Sequence, residues 1–249
     1  MSRALATRAP VKGLAPALTA GSLLLVWGVA SEALPAPPVR LDILVSSAVV
    51  FSLVAALVWG MSSLTRLGRR LAYVALVALP AAVVLVWLGW PAPANVAKVV
   101  GAAALGLWIA LELERPSWIV IVAVVSAAVD IFSVAAGPTK AILAKGPLVV
   151  GYFTVVVTWA GYSVAEAFTG LGVSDVVFFA LYVGAARRFG LRAGWSTAAM
   201  TASFLATVAA AMYWTALPAL PLLSVAFLAV NGDLLWRQLR ARDDGAEAR

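Results

Sequence analysis

The sequence contains no cysteine and no histidine. Without these residues the chain can form no disulfide, has no thiol nucleophile and lacks the usual ligands of a zinc site. The absence of histidine also excludes the base of a serine-histidine hydrolase and the paired histidines of a metalloprotease helix. A serine-lysine pair has little support, because Lys12, Lys98, Lys140 and Lys145 all lie near the ends of predicted helices. An enzyme built from this chain would therefore use carboxylates as its acid and base groups.

Charged side chains are scarce, at 12% of 249 residues, whereas 63% of the residues are hydrophobic. With a mean hydropathy of +1.00, this composition lies far outside the range of soluble globular domains. The formal charge of +7 comes from short basic clusters between apolar runs and not from one basic patch. Such clusters set the topology of a membrane protein. We therefore expect an all-α polytopic protein of the lipid bilayer, with no nucleic-acid partner.

Eight apolar runs are predicted to be transmembrane helices. They divide the chain into an N-terminal scaffold (1–116), a region with the candidate chemistry (117–236) and a charged, disordered tail (237–249). The first run is predicted to be a retained helix, with a cleaved signal peptide as the alternative. Small residues in the fourth run predict close packing against neighbouring helices. The eight runs are residues 17–30, 41–64, 71–90, 94–111, 117–136, 164–186, 195–214 and 217–236.

The distribution of basic residues predicts the orientation of these helices. With the N-terminus inside, 14 of the 18 basic residues fall on the inner side. Only Arg40, Lys98, Lys140 and Lys145 fall outside. Because cytoplasmic loops carry an excess of Lys and Arg, both termini are predicted to be cytoplasmic.

Residues 149–158 are apolar but rich in β-branched side chains. This composition favours a strand or hairpin at the membrane surface over a further helix. A ninth span would also move Arg187, Arg188 and Arg192 to the outer side. The segment is therefore predicted not to cross the membrane.

Two aspartates, Asp130 and Asp175, stand within apolar runs. A charged side chain at the centre of a membrane helix costs roughly 2.5 to 3.5 kcal/mol, so such residues usually have a function. At about 1.5 Å per residue, both acids would lie roughly 14 to 22 Å from the flanking charges, on antiparallel helices. Ser126 and Ser133 would extend a polar stripe from Asp130 along a wet cavity. The alternative is that each acid is buried and satisfied by hydroxyl or backbone groups.

Two carboxylates that share a site cannot both ionise cheaply, so one holds a proton while the other remains a base. That pair can activate water and protonate an amide leaving group. A substrate helix has all its backbone hydrogen bonds satisfied internally, so it must unwind before its carbonyl can be attacked. The strand predicted at 149–158 could hold the unwound segment by β-augmentation.

Three short motifs in order resemble the presenilin and signal peptide peptidase family of intramembrane aspartyl proteases, as a divergent member of prokaryotic type. They are Asp130, then Gly172-Val-Ser174-Asp175, then Pro218-Ala219-Leu220. The resemblance covers about half of the chain, from Ser117 to Trp236. It implies a catalytic Asp130 and Asp175 pair, with Gly172 and Ser174 contacting the substrate and Pro218, Ala219 and Leu220 shaping the site. The predicted orientation is similar to that of signal peptide peptidase.

Two positions depart from the family pattern. Val129 stands where the family usually has tyrosine, and Ser174 replaces a glycine. The resemblance implies transmembrane-helix substrates and requires no cofactor or metal. Two alternatives remain open at this point: a transporter or proton-coupled carrier that uses the same acids as a relay, and a catalytically inactive relative that only binds substrates.

Overall fold

The computed structural model describes residues 14–137, 147–163, 168–213 and 217–247. Within them the chain is mostly helical, in agreement with the predicted class. Proline begins α4, α5 and α6, where its missing N–H costs no helical hydrogen bond. The helices are α1 (Leu14–Ala30), α2 (Val39–Met61), α3 (Arg70–Trp87), α4 (Pro91–Glu112), α5 (Pro116–Ala135), α6 (Pro147–Phe153), α7 (Val173–Arg188), α8 (Ala193–Ala211) and α9 (Leu220–Glu247).

Six helices in the described ranges are long and apolar enough to cross a membrane: α1 to α5, and α9. The prediction of eight spans is therefore wrong by this criterion. Helix α7 has only 16 residues, and α8 carries Gly, Ser and Thr among its alanines, which lowers its hydropathy.

The helix that carries Asp175 begins at Val173 and not at residue 164 as predicted. A strand occupies the preceding residues, Phe168–Gly172. Asp175 therefore lies in the first turn of α7 and not at mid-helix. The last helix begins at Leu220 and continues to Glu247, so most of the predicted disordered tail is helical.

Helix α4 lies at the centre of the bundle and packs most extensively against α3 and α7. The small residues predicted to allow close packing do so. A Cβ built on Gly106 would lie 2.9 Å from the Cβ of Ala180 in α7, and one on Gly184 would lie 2.8 Å from the Cβ of Ala110. The two backbones approach closely because each helix places a glycine at the contact.

A two-stranded antiparallel sheet lies between α5 and α7 in the sequence. It consists of β1 (Thr154–Thr158) and β2 (Phe168–Gly172), with Val156 opposite Gly170 and Thr154 opposite Gly172. The predicted strand is therefore present over its second half. Residues 149–153 belong to α6.

The topology can be tested with single cysteines, because the chain contains none. If α7 crosses the membrane as the distribution of basic residues predicts, Arg188→Cys will be labelled from the cytoplasmic side, like Arg69→Cys in the α2–α3 loop, whereas Leu88→Cys will be labelled from outside. All three positions are exposed. Position 190 is unsuitable, because Gly190 has a φ of 66° that other residues rarely adopt. Labelling of Arg188→Cys from outside, together with Leu88→Cys, would show that α7 does not cross as predicted.

Candidate functional site

One cavity of about 800 Å³ lies where β2, α5, α7 and the start of α9 meet. Six of the seven predicted site residues line it, and five of these belong to two short segments: Gly172, Ser174 and Asp175, and Pro218 and Ala219. Asp130 also lines it. Leu220 is buried beside the cavity and takes part through its backbone N–H. The fold thus brings the predicted site residues together from three separate segments of the chain.

Asp130 stands five residues before the end of α5 and is half-buried. Its Oδ2 accepts a hydrogen bond of 3.0 Å from the backbone N–H of Leu220. The N–H of Ala219 is also directed at this carboxylate. These amides belong to the start of α9, where unpaired N–H groups favour an anionic partner. The Pro218-Ala219-Leu220 segment therefore orients Asp130 through its backbone.

Asp175 is oriented by the turn that joins β2 to α7. Its Oδ2 accepts a hydrogen bond of 3.1 Å from the backbone N–H of Gly172, which caps the helix. A Cβ built on Gly172 would lie only 2.8 Å from the same Oδ2. A side chain at 172 would thus displace the carboxylate, which explains why glycine precedes this aspartate. Ser174 is exposed towards the cavity.

The two carboxylates face the cavity, and no basic side chain in the described part of the chain forms an ion pair with either. Among the described residues the ion pair joins Arg192 to Asp233, at 2.6 Å, and neither residue lines the cavity. Nor do the described residues contain a group of three potential metal ligands. Each carboxylate instead accepts a hydrogen bond from a backbone N–H, Asp175 from that of Gly172 and Asp130 from that of Leu220.

The predicted polar stripe along α5 does not line this cavity. Ser126 is buried, and its hydroxyl lies 3.1 Å from the hydroxyl of Tyr182 in α7. The Tyr182 hydroxyl lies 3.0 Å from that of Ser224 in α9. These three side chains connect the helices that carry the two acids and the Pro-Ala-Leu segment. The expectation that both serines line a wet cavity was wrong, since neither is among the lining residues and Ser126 faces α7 instead. Tyr182 gave no signal within its apolar run.

We expect Tyr182→Phe to destabilise this arrangement without abolishing the site. The change removes the hydroxyl that joins α5 to α9 and leaves two buried serine hydroxyls with fewer partners, at a cost of about 1 to 3 kcal/mol. Thermal unfolding in detergent should show a lower midpoint. Ser126→Ala, which removes one of the two contacts, should lower it less. An unchanged midpoint in Tyr182→Phe would contradict this role.

The edge of β1 that faces away from β2 is occupied by two buried side chains of α4. The amide of Asn95 donates to the carbonyl of Val156 at 2.7 Å and accepts from its N–H at 3.0 Å. The ammonium of Lys98 donates to the carbonyls of Gly151 at 2.6 Å and Thr154 at 2.8 Å. Lys98 was predicted to lie near a helix end, but α4 begins at Pro91 and Lys98 stands two turns into it, 3% exposed.

Comparisons of this chain with known protein families, with curated proteins and with solved structures find no match. The geometry of the cavity and the short motifs that meet there are therefore the basis for assigning a function.

Proposed function

We propose that the protein is an intramembrane aspartyl protease that hydrolyses peptide bonds within transmembrane segments, with Asp130 and Asp175 as its catalytic pair. The observation that carries the proposal is the shared cavity. Both carboxylates line it, each is oriented by a backbone amide, and no described basic side chain forms an ion pair with either. This arrangement suits a pair that holds one proton between two acids.

The chemistry follows the general pattern of carboxylate acid-base catalysis. The ionised aspartate removes a proton from water as its oxygen adds to the carbonyl carbon of the scissile peptide bond. The protonated aspartate donates its proton to the amide nitrogen as the carbon–nitrogen bond breaks. The products are a carboxyl group and an amine, and the pair returns to one shared proton. The cavity, with a volume of about 800 Å³, offers room for a short stretch of unwound chain.

We propose that the substrate pairs with β2, and not with β1 as the sequence suggested, because the outer edge of β1 is already occupied. Val156 directs its N–H and carbonyl at Asn95, away from β2. In an antiparallel pair, the residue opposite then also directs its groups outwards. That residue is Gly170, which is exposed and lines the cavity. Among the described residues the sheet has two strands, so an unwound substrate could add to β2 as a third.

The resemblance to presenilin and signal peptide peptidase supports the same proposal. Its three motifs are distant in sequence, yet Asp130, Asp175 and Pro218 line one cavity. Val129, which replaces the family's usual tyrosine, is 59% exposed and is not among the lining residues. Ser174 keeps a small side chain at a lining position. The position of Val129 outside the cavity fits a site in which this substitution is tolerated.

Reconstitution in liposomes with a single-span test substrate tests the proposal. We expect cleavage within the membrane-embedded part of the substrate, with both fragments identified by mass spectrometry. An inactive relative would bind the substrate without cutting it. A proton-coupled carrier would leave every substrate intact and instead acidify or alkalinise the liposome interior when a solute gradient is applied.

A further inference from the structure

The outer edge of β1 is matched residue by residue to polar side chains from the N-terminal helices. Alternate residues along this edge direct their backbone groups away from β2. Thr154 and Val156 meet Lys98 and Asn95 of α4. The strand continues past Val156, and its later residues meet side chains from helices other than α4.

Thr158 and Ala160 continue the same alternation. The carbonyl of Thr158 accepts a hydrogen bond of 3.2 Å from the indole N–H of Trp27 in α1. The N–H of Ala160 donates to Oδ1 of Asp42 in α2 at 3.1 Å. Residues 154, 156, 158 and 160 are thus satisfied by side chains from three helices, which together take the place of a third strand. We call this set, Trp27, Asp42, Asn95 and Lys98, the side-chain ladder.

The ladder is costly to build inside a membrane protein. Asp42, Asn95 and Lys98 are at most 5% exposed. Within the described ranges Lys98 has no acidic partner in an ion pair and is compensated by two carbonyls. A buried charge without an ion pair is expensive, and such residues in membrane helices usually have a function. Apolar side chains would hold a helix against a neighbour at lower cost.

We propose that the side-chain ladder is a positioning device for the catalytic pair. It closes β1 to a third strand, leaves β2 as the edge available to an unwound substrate, and fixes the register that places Thr154 opposite Gly172. The N–H of Gly172 in turn holds Asp175. This inference rests on the proposed protease function. It assigns a role in cleavage to α1, α2 and α4, which contribute no catalytic residue.

The central element of the ladder is Asn95, because its amide reproduces both backbone bonds of a neighbouring strand. Asn95→Leu keeps a similar shape and removes both bonds. The matched control is Asn231→Leu in α9. Asn231 is equally buried and also holds backbone and side-chain groups, those of Arg192, Ser196 and Phe227, but it contacts neither strand. Lys98→Met is the second ladder variant, since it removes the buried charge together with its two bonds to the carbonyls of Gly151 and Thr154.

Two readouts separate positioning from general stability. The first is hydrogen exchange of the amides of residues 154–160, which should rise about fivefold or more in Asn95→Leu, as expected for the loss of both bonds to Val156. The second is the position of the cut in the test substrate. Both ladder variants should yield added products displaced from the main cut by steps of two residues, because strand faces repeat with that period. Asn231→Leu should lower the unfolding midpoint but change neither readout.

Unchanged exchange at 154–160 together with a single cut in both ladder variants would overturn the proposal. So would equal product spreading in Asn231→Leu, which would show a general stability effect. If the wild-type protein cleaves no substrate, the proposed function fails, and with it the role of the ladder in cleavage. The exchange measurement then still decides whether Asn95 holds β1, so the two failures can be told apart.

Discussion

Asp130→Asn and Asp175→Asn are each expected to reduce cleavage by on the order of 10³-fold or more, because each removes one member of the acid-base pair. Asparagine has nearly the same shape as aspartate and its carbonyl oxygen can still accept the amide hydrogen bonds from Leu220 and Gly172. The variants should therefore remain folded. The measurement is the initial rate of cleavage of a single-span substrate in liposomes, with the thermal unfolding midpoint recorded in detergent.

Asp233→Asn is the matched control for these two variants. Asp233 is an exposed acid of α9 in an ion pair with Arg192, and it does not line the cavity. We expect its cleavage rate to match that of the wild type. A wild-type rate in either Asp130→Asn or Asp175→Asn would exclude the catalytic pair. Loss of proton-coupled uptake in both, without any cleavage by the wild type, would favour the carrier.

The sequence was enough to single out the two acids and the nearby motifs as candidate site residues. It gave the wrong start for the helix that carries Asp175. Residues 164–186 are mostly apolar or small, and in such a stretch periodicity cannot separate a buried strand from a helix. Gly170 and Gly172 were the available signal for a break before Val173. The strand that ends at Gly172 moves Asp175 into the first turn of α7, and there a backbone N–H can reach it.

The side-chain ladder could not have been predicted from composition or spacing. Asn95 and Val156 are 61 residues apart in the chain, and Trp27 and Thr158 are 131 apart. Such contacts depend on how helices pack in three dimensions. An available signal was the spacing of Asn95 and Lys98 by three residues, which puts both side chains on one face of a helix. Nothing in the sequence indicated that this face contacts β1.

A proline substitution at Gly170 tests whether a substrate pairs with the edge of β2. The corresponding substitution in β1 would be at Val156, but it is not suitable. The N–H of Val156 already donates to Asn95, so proline there would damage the ladder and not the contact with a substrate. At Gly170 the N–H is directed outwards, because this residue lies opposite Val156 in the antiparallel pair. Proline has no N–H and is tolerated on an edge strand.

We expect Gly170→Pro to reduce cleavage by about tenfold or more, since it removes a backbone donor and places a ring at the edge where a substrate strand would pair. Gly170→Ala is the matched control. Its added Cβ would lie 3.3 Å from the Thr154 side chain, a tight contact that the alanine shares with proline, but the N–H remains. The alanine variant should therefore stay within about twofold of the wild type.

Binding of a transition-state-analogue inhibitor to the aspartates should be unchanged in both variants, which would show that the site is intact. Equal cleavage by the two variants would contradict pairing at β2, and loss of inhibitor binding in the proline variant alone would indicate a distorted site instead.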